Sequence, residues 1–413
     1  MLSDSLRKWQ VRFCFDALPL ALCCFPFLFA SLCPAQNHEV LCREGSGSFQ
    51  ADFHTGVAVQ VMAARTGELA TRTCAATLSW EKHSLPVTAS APQVDLDSFG
   101  VDLGLGVPVA TFQVKKSAND CCMEYQIYSL EKPPRLLRTL TGGDFFSAAD
   151  TDLDGRVEIW TNDAAAMEGF ENLSLGELDS GPTIVLRFAH GELLDVGSEF
   201  ESYFDRKIAE LRRELNSDDL LNFKSSDGKL SSSLSAERLH EMRGAKAKIL
   251  EIIWAYLYSG REQQAWELLG EMWPPADLAR IHAAILNARA HGITAQVNGV
   301  SKAAPGTRKK RAQIFDAVAK SQSGKLEVIP PEPIMLRRPP LEATADKDLP
   351  QSELLLELVI DAAGKVRKVE PAGKAKSVDP NLIYTATGWK FIPAFKADHP
   401  VASRMRLAVS PRQ

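Results

Sequence analysis

At 413 residues the chain exceeds one ordinary domain and suits two or three. Its 45% hydrophobic composition is ordinary for a globular protein that buries a real core. A net charge of −5 gives no global reason to expect nucleic acid or an acidic membrane surface as partner.

Residues 1–35 have the form of a targeting segment. Arg7, Lys8 and Arg12 make a positive n-region, Ala17 to Cys33 is uncharged and largely apolar, and Cys33-Pro-Ala35 offers a cleavage point after Ala35. Retention as a membrane anchor is the competing reading. Seventeen residues (17–33) span only about 25 Å of a ~30 Å hydrocarbon core, and Pro19 and Pro26 interrupt them. Cleavage and export to the periplasm or cell envelope are therefore expected, with an inner-membrane anchor as the alternative. Export leaves Cys42, Cys74, Cys121 and Cys122, an even number in an oxidising compartment, which predicts two disulfides. Because a bond between adjacent residues is strained, Cys121 and Cys122 are each expected to reach Cys42 or Cys74. Without a C-x-x-C or a histidine pair at ligand spacing, these cysteines make a poor metal site.

Residues 36–198 predict an all-β domain. Val57, Val59 and Val61 alternate, as do Val107-Val109 and Phe112-Val114, and Glu124–Leu130 and Thr183–Phe188 read as further strands. Within this domain lies Asp150-Thr-Asp152-Leu-Asp154-Gly155-Arg156-Val-Glu158. Carboxylates at positions 1, 3 and 5 converge, glycine at 6 permits the tight turn, and hard oxygen donors crowded this way favour a hard cation. The expected ligands of a calcium ion are Asp150, Asp152, Asp154 and Glu158, with the Arg156 carbonyl as main-chain donor. An EF-hand would need a carboxylate at position 12, where Thr161 stands. The loop instead runs into the strand-like RVEIWTND. It resembles the calcium loop of FG-GAP or VCBS-type repeats, which sits in a β-propeller blade, although one copy does not support a whole propeller. The bland alternative is a solvated Asp-rich turn held by its own side-chain bonds.

Residues 199–324 switch to helices. Phe200, Phe204, Ile208 and Leu211 form one apolar stripe. After a polar run from Lys224 to Ser235, a helix, a Ser259-Gly260 turn, a second helix and a Pro274-Pro275 break predict an αα-hairpin array. AYLYSGREQQAWELL resembles part of a tetratricopeptide unit, a single loose copy. Trp254, Tyr256 and Trp266 read as core, and RKKR at 308–311 as a solvated face. Residues 325–350, with six prolines from Pro330 to Pro350, read as a stiff extended linker.

The last stretch, 351–413, carries the densest pattern. Leu354, Leu356, Leu358 and Ile360 share one face of a strand, Asp361-Ala-Ala-Gly364 supplies a turn, and Lys365 to Val369 returns. Asp379-Pro380 starts a helix that Gly388 stops. Trp389, Phe391, Pro393 and Phe395 follow, then a last strand from Val401 to Val409. The prediction is a small strand-strand-helix-strand-strand unit with an unpaired edge near Arg404 to Val409.

IDAAGKV, the helix after VDPNL, GWKFIPAF and DHPVASRMRLAV together resemble the C-terminal domain of TonB-type energy transducers, over roughly residues 337–411. Asp398-His399 stands where that family usually has a glycine before Pro-Val, and AGKAKS replaces its Ser-Gly before the helix. The resemblance implies a domain that docks on a protein partner, including an outer-membrane receptor.

Enzyme signatures are missing. Gly45-Ser-Gly47 is no nucleophile elbow, Ser226-Asp-Gly-Lys229 falls in a flexible run, and no H-E-x-x-H, P-loop or G-x-G-x-x-G occurs. The whole predicts a multidomain α+β protein: an N-terminal all-β domain, a central α-helical hairpin region and a C-terminal small α+β TonB-like domain. The function expected is that of an exported, non-enzymatic envelope protein whose partner is another envelope protein or a second copy of itself, with no nucleic acid. A membrane-anchored energy transducer for outer-membrane transport is the first alternative. A calcium-dependent carbohydrate-binding or hydrolytic β domain is the second.

Overall fold

Alternation decides the strand that starts at Val57: Val57, Val59 and Val61 are buried while Ala58 is part-buried and Gln60 and Met62 are exposed, the pattern of a sheet solvated on one face. The structure, a computed structural model, describes residues 48–66, 71–117, 119–230, 235–301, 311–317, 328–336, 354–372 and 379–409. The expected leader, Cys42 and most of the proline-rich stretch lie outside these residues.

The fold is mixed α+β. Strands β1 (Ser48–Asp52), β2 (Val57–Thr66), β3 (Thr71–Trp80) and β4 (His83–Ala91) form an antiparallel meander. A second meander joins β5 (Gln93–Val101), β6 (Val109–Lys115), β7 (Met123–Ser129) and β8 (Arg135–Gly143). The third sheet holds β9 (Phe146–Ala149), β10 (Glu158–Asn162), β11 (Thr183–Ala189) and β12 (Glu192–Asp195). Its last member, β13 (Gly299–Val300), pairs parallel with β12 only after the helices have intervened.

After α1 (Ala164–Met167), which follows β10, those helices are α2 (Glu201–Glu214), α3 (Ser217–Lys224), α4 (Ala236–Tyr258), α5 (Glu262–Met272) and α6 (Leu278–His291). Their starts follow side-chain chemistry where it exists: Asn216 caps α3 and Ser235 caps α4, each accepting N–H groups that the first turn leaves unbonded. Trp254 is fully buried, and Tyr256 and Trp266 pack partly buried against the same core. That core is shared. Leu186 and Val185 of β11 belong to one apolar cluster with Phe204 of α2 and Ile253 of α4. No helix among the described residues is long and apolar enough to cross a membrane.

The C-terminal stretch contains β14 (Phe315–Asp316), β15 (Glu332–Met335), β16 (Leu354–Ile360), β17 (Val366–Pro371), α7 (Pro380–Ala386), β18 (Lys390–Ile392), β19 (Ala394–Lys396), β20 (His399–Val401) and β21 (Ser403–Val409). Asp379 caps α7 through the Asn381 N–H at 2.8 Å, and Leu356, Leu358, Ile360, Leu382, Trp389 and Phe391 close a core of their own. Gly364 has φ +77°, and a Cβ there would meet the Phe391 carbonyl oxygen at 1.8 Å, so the hairpin turn requires glycine. Val40–Gln413 is one compact unit. Phe395 and Ile392 turn away from Trp389 and pack with Phe53 and Phe99 beneath the first two sheets, and Ala362 and Ala363 join the helix-covered core.

Three expectations are corrected. The edge near Arg404 is not open: Phe315 and Asp316 pair parallel with Ser403 and Arg404, while the other side of β21 pairs with β16 along its length. The proline-rich stretch is more than a spacer, because residues 332–335 form a strand paired with β18. Proline lacks an N–H but tolerates an edge, which is where this strand lies. Finally, Cys121 and Cys122 are bonded to each other, not to Cys42 or Cys74. The two lie side by side just ahead of β7, whereas Cys74 is buried in β3 of a different sheet and is disulfide-bonded separately.

Candidate cation site

The acidic loop connects β9 to β10. Gly155 carries φ +88° and Leu153 φ +57°, so the chain turns back on itself and presents successive N–H groups inward. Asp150 is fully buried at the base, where its two carboxylate oxygens accept from the Asp154 and Gly155 N–H groups at 2.9 Å each. Oxygens of Asp150, Asp152 and Glu158 lie within 4.8 Å of one another. Calcium–oxygen bonds of ~2.4 Å place opposite ligands about 4.8 Å apart, so these three carboxylates fit one hard cation.

Asp154 departs from that set. Its carboxylate accepts from the Arg156 backbone N–H and Nε at 2.9 Å and pairs with the guanidinium at 2.5 Å. Glu158, wholly buried in β10, lies 3.4 Å from Arg187 of β11, and Arg187 in turn makes a two-pronged bond to Glu199 at 2.6 and 3.0 Å. Of the sequence-predicted ligands, the fold therefore gathers Asp150, Asp152 and Glu158 and directs Asp154 to Arg156. Burial pushes the Asp150 carboxyl up to about 6, opposed by its two N–H donors and reinforced by Asp361.

Asp361 belongs to the C-terminal hairpin, and here the two regions meet. The Asp150 N–H donates to Asp361 Oδ2 at 3.1 Å, and Arg367 holds that same oxygen at 2.6 Å. Four residues on, Lys365 Nζ reaches Asp97 of β5, 2.6 Å from both its carboxylate and its carbonyl oxygen. Asp97, 2% exposed, also accepts from Tyr125 Oη at 2.7 Å and from the Ala148 N–H at 2.8 Å. Burial would raise its carboxyl, but Lys365 and Lys390 outweigh it and hold Asp97 below the usual carboxylate range. Lys390 of β18 adds an ion pair to Asp95 at 2.5 Å. Sequence reading missed this network; its one visible trace was a pair of acids, Asp95 and Asp97, inside the apolar run VDLDSFG.

A third strand of chain crosses the loop: the Ala312 N–H donates to the Leu153 carbonyl at 2.6 Å before the chain continues into β14. Comparison of the chain with known protein families, with characterised proteins and with solved structures produced no match.

Proposed function

We propose that this is an exported, non-enzymatic envelope protein whose C-terminal part, residues 351–413, is a TonB-like unit that docks on a protein partner. The observation that carries the reading is the order β16, β17, α7, β18 and then β21, closed around Trp389 and Phe391, on the residues that bear the resemblance. The partner contact expected is strand addition, in which backbone hydrogen bonds supply affinity and alternate side chains supply selectivity. With Ser403 and Arg404 already paired to β14, the incoming strand would either use residues 405–409 or displace β14.

The test is a photo-crosslinking residue placed at Arg406 in the intact chain, within the envelope of the producing cell. Cross-links to an outer-membrane barrel support docking on a receptor. Cross-links only to a second copy of the chain would replace docking by self-association.

The gathering of Asp150, Asp152 and Glu158 favours a second assignment in the same protein: a structural calcium ion in the β9–β10 loop. Such an ion would bind where the C-terminal hairpin makes its contact with Asp150. Its role would be to hold the loop, with no chemistry of its own.

A further inference from the structure

Helices α2 and α4 and the turn at residues 176–179 enclose an open cleft of about 660 Å³. Five of its eight charged residues have ion-pair partners. Lys207 pairs with Asp179 at 3.2 Å and Lys248 with Glu214 at 3.5 Å. Glu177 is held from outside by Arg243 at 2.8 Å. Arg206 and Glu210, one turn apart on α2, are both exposed to solvent.

Among the part-buried charges of the cleft, Glu251 of α4 is the exception. It lines the cleft half-buried, and no hydrogen bond or ion pair reaches its carboxylate from the described residues. Behind it runs a narrow apolar crevice walled by Leu178, Phe204 and Trp254, which also borders Lys207. A carboxylate with water on one side and hydrocarbon on the other attracts a counter-ion more strongly than one in open solvent.

We propose that this cleft binds a small organic cation, an alkylammonium or guanidinium. Its charged head rests on the Glu251 carboxylate and its carbon chain lies along Tyr203 and Leu211, which share the cleft wall. An anionic ligand is disfavoured, because the part-buried Lys207 and Lys248 are already paired with Asp179 and Glu214 and Arg206 stands exposed to solvent. A hard metal ion fits poorly too: among the described residues, the grouping of three carboxylates close enough to share an ion lies in the β9–β10 loop. Binding should also depend on pH. Burial pushes the Glu251 carboxyl up to about 7; Lys207 and Lys248 pull it down, while Asp179 and Glu214 push it further up. The ionised partner that the cation needs therefore becomes the majority form only as pH rises through about 7.

The test uses the intact chain with 1-aminopentane as probe and 1-pentanol and pentanoate as controls, read by saturation-transfer NMR and titration calorimetry at pH 8 and pH 6. The amine should bind at pH 8 and about tenfold more weakly at pH 6, since a carboxyl titrating near 7 is then roughly nine-tenths protonated. Glu251→Gln should weaken it by a similar factor with the melting temperature unchanged or raised, and Glu251→Asp should preserve the pH dependence. Absence of amine binding at pH 8 would overturn the proposal. So would equal binding of pentanol or pentanoate, or an unchanged affinity in Glu251→Gln.

Discussion

Asp97 and Asp150 are both buried carboxylates on adjoining elements of the β region, and both touch the same C-terminal turn, yet their surroundings push them in opposite directions. Asp97 receives an ammonium, a phenol and a backbone N–H. Asp150 receives two backbone N–H groups and a second carboxyl, Asp361, as neighbour. Burial disfavours the charge at each site, so what separates them is the countercharge. Lys365 makes Asp97 a finished structural contact. Asp150 instead lies close enough to Asp152 and Glu158 for the three carboxylates to share an ion.

The largest effect should come from breaking the finished side. Lys365→Met leaves Asp97 buried with its nearest cation removed, which costs ~3–5 kcal/mol. Urea unfolding of the intact chain measures it, and adding Asp97→Asn should recover part of the loss. A loss below ~1 kcal/mol would mean that Lys390 and the neutral donors suffice, and the contrast with Asp150 would collapse.

Asp195 extends the comparison to a buried carboxyl without an ion pair. It is 6% exposed and accepts from the Gly197 N–H at 2.9 Å; burial raises it to about 6, with Arg289 opposing. Since the folded value lies above the unfolded one, the fold favours the neutral acid. The contribution is fully present below pH ~4 and is lost as pH rises through about 6, by about 2–3 kcal/mol. Asp195→Asn should remove that component, so the stability of the variant relative to the parent should rise between pH 4 and pH 8. A constant difference across that range would show that the aspartate carries no such strain.

At the acidic loop the effects are smaller. At millimolar calcium, a site with a dissociation constant of about 10⁻⁴–10⁻³ M stabilises the fold by roughly 0.5–1.5 kcal/mol. Asp152→Ala should abolish the rise in melting temperature that calcium produces and change little in chelator; equal shifts in both buffers would reduce the loop to a turn. Asp154→Ala should matter least, below ~1 kcal/mol with calcium stabilisation retained, because Asp154 serves a half-exposed Arg156. If it abolishes the calcium effect as Asp152→Ala does, Arg156 must yield Asp154 to the ion.

The sequence by itself determined what depends on near neighbours. Alternating valines marked β2, Asp379-Pro380 marked the start of α7, Gly155 and Gly364 marked turns that need positive φ, and the Asp150–Glu158 spacing marked a convergent acidic loop. Each follows from side chains within about a turn or a hairpin of one another, where chain geometry alone fixes who meets whom. Tertiary structure decided everything that needed a partner from far away. It turned Phe395 from the C-terminal core to Phe53, placed β14 on an edge expected to be open, and joined Lys365 to Asp97 across 268 residues. It also gave Asp154 to Arg156, a local choice that spacing leaves open, since a carboxylate on a turn can face inward to a cation or outward to a guanidinium. A buried charge is stable only where the fold delivers its countercharge, and no local pattern records which distant residue that will be.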